Sequence, residues 1–187
     1  MMTERQVHGF EFQRQIIAQF GLMPGDNYTS QWDADYRGTP VSIKFIKVGD
    51  EIAMGDLFHN ASVDRDFYLI VGFWRREGSR REITDTKCLR ICGEDWVMLF
   101  THEFDADIRE FLKRITNARR DDGDWHIFTA DMRQKWAEAT PNLVRPRFKR
   151  DHKKQKRVQC AISYPDFYEY FVPTYESSID PTSGTEG

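Results

Sequence analysis

WDADYRGTPVSIKF, residues 32–45, is the stretch of sequence that decides the fold. Gly38 and Pro40 mark a turn near its middle, and β-branched or aromatic residues lie on either side. This combination of turn residues and strand-forming residues is typical of a β-hairpin. The sequence therefore predicts two antiparallel strands joined by a short loop.

The length of that loop decides which side chains share a face of the hairpin. With a loop of two or four residues, Asp33 lies directly opposite Ser42, whereas a loop of three residues sets Asp33 opposite Ile43. Ser42 and Lys44 are two residues apart on one strand, so their side chains point the same way. Lys44 then becomes the diagonal neighbour of Asp33. The other face would carry the apolar residues Val41, Ile43 and Phe45.

An acid and a lysine that project together from a sheet have the geometry of a hydrolytic metal site. Asp33 would hold a divalent cation there, and Lys44 would activate or orient a water molecule. The alternative is a surface ion pair on an ordinary hairpin.

The composition predicts one folded domain. The chain has 187 residues, of which 40% are hydrophobic and 14% aromatic, and this is enough to form a core. We expect a single domain over residues 1–172 and a polar, disordered tail over residues 173–187. Mean hydropathy is −0.67, no run reaches the ~18 apolar residues of a membrane span, and the amino terminus lacks the apolar core of a signal peptide. The sequence thus predicts a soluble, cytoplasmic protein with no membrane partner.

Cysteine and histidine spacing gives no sign of a disulfide framework or a zinc site. The three cysteines, Cys88, Cys92 and Cys160, include no Cys-x-x-Cys pair. The five histidines, His8, His59, His102, His126 and His152, are scattered without ligand spacing. This pattern argues against zinc hydrolases and against nucleases that use histidine-bound metals.

Net charge is distributed unevenly along the chain. Residues 145–157 contain eight basic residues against one acid, Asp151, so this run carries a charge of +7. Because the whole chain has a net charge of −3, the remainder carries −10. A dense basic segment in an otherwise acidic protein predicts a contact with a polyanion, and the alternative is a solvated charged loop. The candidate DNA-binding residues are Lys149, Arg150, Lys153, Lys154, Lys156 and Arg157, in an exposed loop that would order on the duplex.

Hydrophobic periodicity predicts the remaining elements. Helices are expected over residues 6–20, 49–61, 105–118 and 129–139. Strands are expected over residues 66–74, 87–91, 96–100 and 158–163, with a polar turn around Gly78. The buried face of the first helix would consist of Val7, Phe10, Ile17 and either Phe20 or Ile16, and Asp50 would cap the second helix. Together these elements predict an α/β or α+β sandwich around a central sheet.

The order of the acidic and basic residues resembles that of the PD-(D/E)xK nuclease superfamily, and within it type II restriction endonucleases. A helix with Glu11, a strand with Asp33, a strand with "SIK" (residues 42–44) and a following helix with Asp56 carry the resemblance. It covers about the first seventy residues, including "SIKFIK" and "DFYLIVGFW", and only the general character of the rest. The resemblance implies a restriction-endonuclease-like fold, in which helices flank a central mixed sheet.

One position departs from the pattern of this superfamily. The second acid of the motif normally stands two residues before the lysine, where this chain has Ser42. Some restriction enzymes share this serine and supply the lost carboxylate from the following helix. Asp56 follows Lys44 by twelve residues and is the first choice for the migrated acid, with Glu51 as another candidate.

The resemblance implies Mg²⁺ as the cofactor. Mg²⁺ prefers oxygen ligands and keeps several waters, so one or two carboxylates and the substrate phosphate suffice. Asp33 would be the central metal ligand and Asp56 the second, while Lys44 would orient or deprotonate the attacking water. Three roles stay open for Glu11: outer ligand, orienter of Lys44, or exposed helix residue. Asp35 shares the face of Asp33 but would pair with Pro40 beside the turn, so it ranks second as a ligand.

The sequence therefore predicts a Mg²⁺-dependent, sequence-specific endonuclease that cuts double-stranded DNA. Cutting both strands of a palindrome requires two such sites, so a homodimer is expected. The alternative from another class is a non-catalytic nucleic-acid-binding protein. In such a protein, Ser42 would be the result of a lost active site. A junction-resolving or repair nuclease would use the same chemistry on DNA of a different shape.

Overall fold

The computed structural model describes residues 4–25, 32–100, 143–150 and 156–179, together with Glu110, Ala130, Asp131, Gln134 and Glu138. Side chains are described for these residues except 4–6, 148–150 and 156–157. The chain forms two compact units, each made of separate segments. The first comprises Met1–Asp50, Arg65–Gly93 and Tyr164–Gly187, and the second comprises Glu51–Asp64 and Glu94–Ser163.

The described elements follow one another in a mixed order of helices and strands. The first half of the chain contains α1 (Glu4–Phe20), β1 (Met23–Pro24), β2 (Ala34–Tyr36), β3 (Thr39–Lys47), β4 (Ile52–Asp56), α2 (Leu57–Ala61), β5 (Phe67–Glu77), β6 (Arg80–Ile91) and α3 (Gly93–Met98). The second half contains β7 (Val144–Arg150), β8 (Lys156–Ile162), α4 (Tyr164–Asp166), a π-helical turn (Phe167–Phe171) and α5 (Val172–Tyr175). None of the described helices is long and apolar enough to cross a membrane.

A mixed sheet of five strands forms the centre of the first unit. The strand order is β1-β2-β3-β5-β6, in which β3 and β5 are parallel and the other neighbours are antiparallel. The predicted combination of helices with a central mixed sheet is confirmed in this coarse sense.

The hairpin of β2 and β3 has the register predicted from its turn residues. Tyr36 pairs with Thr39 across a two-residue loop, and the two loop residues have positive φ, 54° at Arg37 and 84° at Gly38. Such a loop matches the twist of the two strands, and glycine adopts its backbone conformation without strain. Continuing the register by one residue places Asp33 opposite Ser42, as the sequence predicts.

Helix α1 packs on the apolar face of this sheet through a face that was predicted in part: Ile16 is in the core, and Ile17 and Phe20 pack against it. Phe12 and Ile16 are its buried residues, whereas Val7 is 40% exposed. Phe12 and Ile16 are four residues apart and therefore lie on the same side of the helix. The Phe12 ring stacks on Phe45, with ring centroids 4.6 Å apart, and it occupies the space that a Cβ would take at Gly72.

Strand β5 is buried on both faces, as its continuous apolar run predicts. Every residue from Phe67 to Phe73 is buried. Ile70 belongs to the core beneath α1. On the opposite face, Phe73 contacts the aromatic rings of Tyr164, Phe167 and Tyr168. A turn at Gly78 leads into β6, which contains the predicted strand over residues 87–91 and begins earlier.

The carboxyl-terminal segment continues the core of the first unit. Pro173, where the sequence predicts the start of a polar tail, lies in α5. Ser177 donates a backbone hydrogen bond of 2.9 Å to the carbonyl of Cys88, and Ile179 is only 4% exposed. The chain therefore stays packed as far as Ile179, and residues 180–187 lie outside the described part.

The second unit contains a three-stranded antiparallel sheet in the order β4-β8-β7. Its strand β8 includes most of the predicted strand over residues 158–163. The helix predicted over residues 49–61 is wrong for its first half, which forms β4. Ile52 and Met54 are buried there while Ala53 is exposed, and this period of two is that of a strand. Helix α2 begins only at Leu57, so Asp50 caps no helix.

Residues 96–100, predicted as a strand, lie instead in and just after α3. Glu94 and Asp95 occupy its first turn, where negative charge is favourable. Trp96, Leu99 and Phe100 are buried at helical spacing. The helices predicted over residues 105–118 and 129–139 lie outside the described residues, apart from single helical positions within them.

Candidate active site

Asp33 and Lys44 lie next to each other on the β2–β3 hairpin. Nζ of Lys44 is 3.8 Å from Oδ2 of Asp33, and the two side chains are 24% and 28% exposed respectively. The same carboxylate oxygen accepts a 2.7 Å hydrogen bond from the backbone N–H of Ile43. Because that N–H belongs to the residue before Lys44, a single strand fixes both the acid and the lysine.

The backbone of Asp33 is also held on both sides. Its N–H donates to the carbonyl of Val41 at 3.0 Å, and its own carbonyl accepts from the N–H of Gly25 at 3.1 Å. Nε2 of Gln13 donates to the same carbonyl at 3.4 Å. Gln13 was not anticipated from the sequence. Its position three residues before the buried Ile16 on α1 is the signal that could have identified it.

Ser42 lies on the same face as Lys44 and is 6% exposed. Its register partner on β5 is the fully buried Leu69. A serine at this position adds no negative charge beside Asp33, so the hairpin itself provides one carboxylate next to the lysine.

The structure does not bring Glu11 to this pair. Helix α1 packs on the face of Ile43, and Lys44 points to the opposite face because neighbouring residues on a strand alternate. Oε2 of Glu11 instead lies 3.1 Å from Nδ1 of His8, and the Glu11 side chain is 55% exposed. Of the three roles considered for Glu11, this placement fits the exposed helix residue.

Asp35 has a structural partner in the turn. Its register partner is Pro40, as predicted. Oδ1 of Asp35 accepts a 2.7 Å hydrogen bond from the N–H of Gly38. The carboxylate of Asp35 therefore stabilises the turn that sets the register of Asp33.

Asp56 belongs to the second unit and lies at the end of β4, not inside a helix as predicted. It is the N-cap of α2, and its Oδ1 accepts a 2.9 Å hydrogen bond from the N–H of His59. Its side chain is exposed to solvent. In the same unit, Glu51 forms an ion pair with Arg147, and burial lowers the pKa of the Arg147 guanidinium. Both acids considered for the migrated carboxylate thus have partners in the second unit.

The basic segment is a β-hairpin over most of its described length, whereas the sequence predicts a loop. Lys149 pairs with Arg157, and Arg150 pairs with Lys156, at the ends of β7 and β8. Two positive residues therefore stand in register at two successive positions of the hairpin. Lys153 and Lys154 lie outside the described residues.

The carboxylate of Asp33 is suited to one coordination position of a Mg²⁺ ion. Among the described residues, Oδ2 of Asp33 has its partners in Ile43 and Lys44, and Oδ1 has none. The described part of the chain holds no group of three or more His, Cys, Asp and Glu side chains that could bind a metal. Since Mg²⁺ accepts one or two carboxylates with water and substrate phosphate completing its shell, Asp33 could supply one such ligand.

Comparisons with known proteins identify no relative of this chain. No protein-family model, no curated protein and no solved structure matches the chain.

Proposed function

We propose that the protein is a Mg²⁺-dependent endonuclease that hydrolyses phosphodiester bonds in double-stranded DNA, of the type II restriction kind. The observation that carries the proposal is the 3.8 Å approach of Lys44 Nζ to Asp33 Oδ2, with that oxygen fixed by the N–H of Ile43. An acid in a fixed position with a neighbouring ammonium group suits the cleavage of a phosphate ester.

Each member of the pair has a defined task in this proposal. Asp33 offers Oδ1 to the cation, which when bound neutralises phosphate charge and makes a water more acidic. Lys44, held by its attraction to Asp33, orients the attacking water and offsets the negative charge that develops on the phosphorus oxygens. Ile43 contributes its N–H, which keeps the carboxylate from rotating away. Asp56 is the proposed second carboxylate, because it holds the position in the sequence that the resemblance implies for the migrated acid.

The arrangement of the first unit supports this proposal. Helix α1, Asp33 just before β2 and Lys44 in β3 occur in the order that the resemblance to PD-(D/E)xK nucleases requires. β3 lies inside a mixed sheet with helices nearby in the chain. A restriction-endonuclease-like fold is therefore part of what we propose.

The basic hairpin of the second unit is the proposed contact with the DNA backbone. Like charges directly opposite each other on neighbouring strands cost stability, and here Lys149 pairs with Arg157 and Arg150 with Lys156. A polyanion would compensate this cost by placing phosphates beside the hairpin. We include Lys153 and Lys154 in the same contact because they lie between the two strands in the chain.

A homodimer is the proposed working form. Each chain offers one Asp33–Lys44 pair, and cutting two antiparallel strands of a palindromic site requires two pairs related by a twofold axis.

A non-catalytic nucleic-acid-binding protein is the second candidate, and one observation favours it. Ser42 stands where the superfamily normally has its second acid, and the carboxylate of Asp56 already caps a helix. If the catalytic set were incomplete, the basic hairpin would still bind DNA.

Digestion of plasmid and phage DNA would separate these candidates. The purified chain is incubated with DNA in Mg²⁺ and in EDTA, beside an Asp33→Asn variant prepared in parallel. Discrete fragments that require Mg²⁺ and disappear with Asp33→Asn are expected. DNA binding without any cutting by the parent chain would overturn the nuclease proposal and favour the binding protein.

A further inference from the structure

The β5–β6 hairpin of the first unit carries a cationic pocket that the Asp33–Lys44 pair does not use. The cavity has a volume of about 460 Å³ and is lined by His8, Trp74, Arg76, Ser79, Arg80 and Arg81. We call these six residues the arginine pocket. Among the described residues, no carboxylate forms an ion pair with Arg76 or Arg80. His8 is paired with Glu11, so the arginines supply the positive charge.

The register of the hairpin concentrates like charges in this pocket. Arg76 pairs directly with Arg81, whereas the adjacent pairs combine opposite charges, Arg75 with Glu82 and Glu77 with Arg80. A directly opposed pair of like charges is unfavourable in a sheet. The Arg76–Arg81 pair is therefore the position of this hairpin where a bound anion would relieve the most charge repulsion.

Trp74 limits the freedom of one of these arginines. The guanidinium carbon of Arg81 lies 4.4 Å from the centre of the Trp74 ring, within the range of a cation–π contact. The Trp74 ring in turn lies 6.1 Å from that of Phe45 in the core. A guanidinium that is already oriented loses less side-chain freedom when it binds a phosphate through two parallel hydrogen bonds.

We infer that the arginine pocket binds a phosphate group, with Arg76 and Arg81 as its principal contacts. Guanidinium groups match the geometry of phosphate oxygens, and the pocket lies on a different hairpin from both Lys44 and the basic segment. The same chemistry would recognise a phosphodiester of nucleic acid or a free phosphate. The inference does not depend on cleavage, because binding requires neither Mg²⁺ nor Asp33.

Arginine-selective labelling of the parent chain tests this inference directly. The protein is treated with phenylglyoxal in EDTA, alone, with a 20-base-pair duplex, or with inorganic pyrophosphate, and each arginine is followed by mass spectrometry. We expect protection of Arg76 and Arg81 but not of Arg75, which lies on the same hairpin opposite Glu82.

The pattern of protection identifies the source of the phosphate. If the duplex protects these arginines, with or without protection by pyrophosphate, and if Arg76→Gln combined with Arg81→Gln also weakens duplex binding, the ligand is a nucleic-acid phosphate. Protection by pyrophosphate alone identifies a free phosphate. Equal labelling of Arg76 and Arg81 in all three conditions would overturn the inference.

Binding measurements with variants form the second arm. Arg76→Gln combined with Arg81→Gln should weaken duplex binding in EDTA about tenfold and should make the slope of log affinity against log salt concentration shallower by about 0.9, which corresponds to one neutralised phosphate. Arg75→Gln is the matched control and should change affinity less than twofold. The double variant removes a like-charge pair but also the contact of Arg81 with the Trp74 ring, so its melting temperature is measured beside that of the parent to confirm that it folds. If protection by the duplex is seen but the correctly folded double variant binds duplex like the parent, the phosphate site on this hairpin is rejected.

Discussion

Lys44 and Asp33 face each other across the β2–β3 hairpin, with Nζ of the lysine 3.8 Å from Oδ2 of the acid. The hydrogen bond from the N–H of Ile43 to the same oxygen fixes the rotation of the carboxylate. Two different effects on Asp33 variants can therefore be separated: the loss of a fixed negative charge and the loss of a hydrogen-bond acceptor for Ile43.

Asp33→Asn should abolish Mg²⁺-dependent cleavage while the fold is retained. The asparagine carbonyl can still accept the hydrogen bond from Ile43, but it is a weaker ligand for Mg²⁺. We expect at least a ~10²-fold loss of cleavage rate with little change in DNA affinity, measured by digestion and by binding in Ca²⁺ or EDTA. Asp33→Ala should lose activity as well and, in addition, about 1–3 kcal/mol of unfolding free energy, because it leaves the N–H of Ile43 unsatisfied. An Asp33→Asn protein that cuts like the parent would remove Asp33 from the active site.

Lys44→Ala should also abolish cleavage and leave binding largely intact. The ammonium group acts on the reacting phosphate and water and provides only a small part of the positive charge that meets the DNA, so we expect a rate loss of about 10²-fold or more. Lys47→Ala is the matched control, since Lys47 is an exposed lysine on the same strand. Equal activity of the Lys44 and Lys47 variants in a single-turnover assay would contradict the proposed role of Lys44.

Asp56 can be tested without disturbing its helix cap. Asp56→Asn preserves an N-cap residue for α2, whereas Asp56→Ala removes the hydrogen bond to His59 and should cost about 0.5–2 kcal/mol of unfolding free energy. If Asp56 is the second metal ligand, both variants should lose Mg²⁺-dependent cleavage although only the alanine variant is destabilised in urea unfolding. Robust cutting by Asp56→Asn would eliminate this assignment and move Glu51 or Glu11 forward, each of which would first have to leave its basic partner.

The hairpin could be predicted from the sequence because the residues that determine its structure lie close together in the chain. Gly38, the residues beside it and the strand alternation predict a short loop, and a loop of two or four residues places Lys44 diagonally beside Asp33. The structure has the two-residue loop. The role of Asp35 in the turn follows from the same few residues, because aspartate readily bonds to a backbone N–H close by in sequence.

Strand β4 could not be predicted in this way, because its residues fit two periods. Ile52, Asp56 and His59 have helical spacing, while Ile52 and Met54 alternate with small residues as in a strand. Pairing with β8, which lies about a hundred residues further along the chain, makes this segment a strand and not a helix. Strand β7 is equally hard to predict, since Pro146 and the charged residues around it are typical of a loop. β7 is the edge of its sheet, where a proline is tolerated.

The buried face of α1 depends on Gly72, a residue far from the helix in sequence, so the periodicity of the helix alone does not predict it. Phe12 packs where Gly72 has no side chain, sixty residues away. Gly72→Ala should therefore cost about 1–3 kcal/mol of unfolding free energy through overpacking, measured by urea denaturation. In a double-mutant cycle with Phe12→Leu, the two changes together should cost at least ~0.5 kcal/mol less than the sum of the single effects. Gly9→Ala is the control, since nothing beyond the adjacent residues and the helix's own backbone lies within 4 Å of a Cβ there, and it should stabilise α1 by about 0.5–1 kcal/mol. Additive effects of the Gly72 and Phe12 changes would show that overpacking between these two residues is not the source of the cost.

The basic hairpin should contribute affinity through its lysines and sequence preference through its arginines. Replacement of Lys153, Lys154 and Lys156 by alanine should weaken binding to every duplex and flatten the salt dependence by about 0.9 in slope for each phosphate that is no longer neutralised. Arg150 and Arg157 can form paired hydrogen bonds to guanine, worth about 1–3 kcal/mol of discrimination each, so Arg150→Ala and Arg157→Ala should reduce the preference among duplexes more than the lysine changes do.

Lys87→Ala serves as the control for the lysine changes, because Nζ of Lys87 is already bonded to Glu176 at 2.8 Å in the first unit. Affinity is measured by fluorescence anisotropy from low to moderate salt. If the triple variant binds as tightly as the parent and with the same salt slope, the DNA surface lies away from this hairpin.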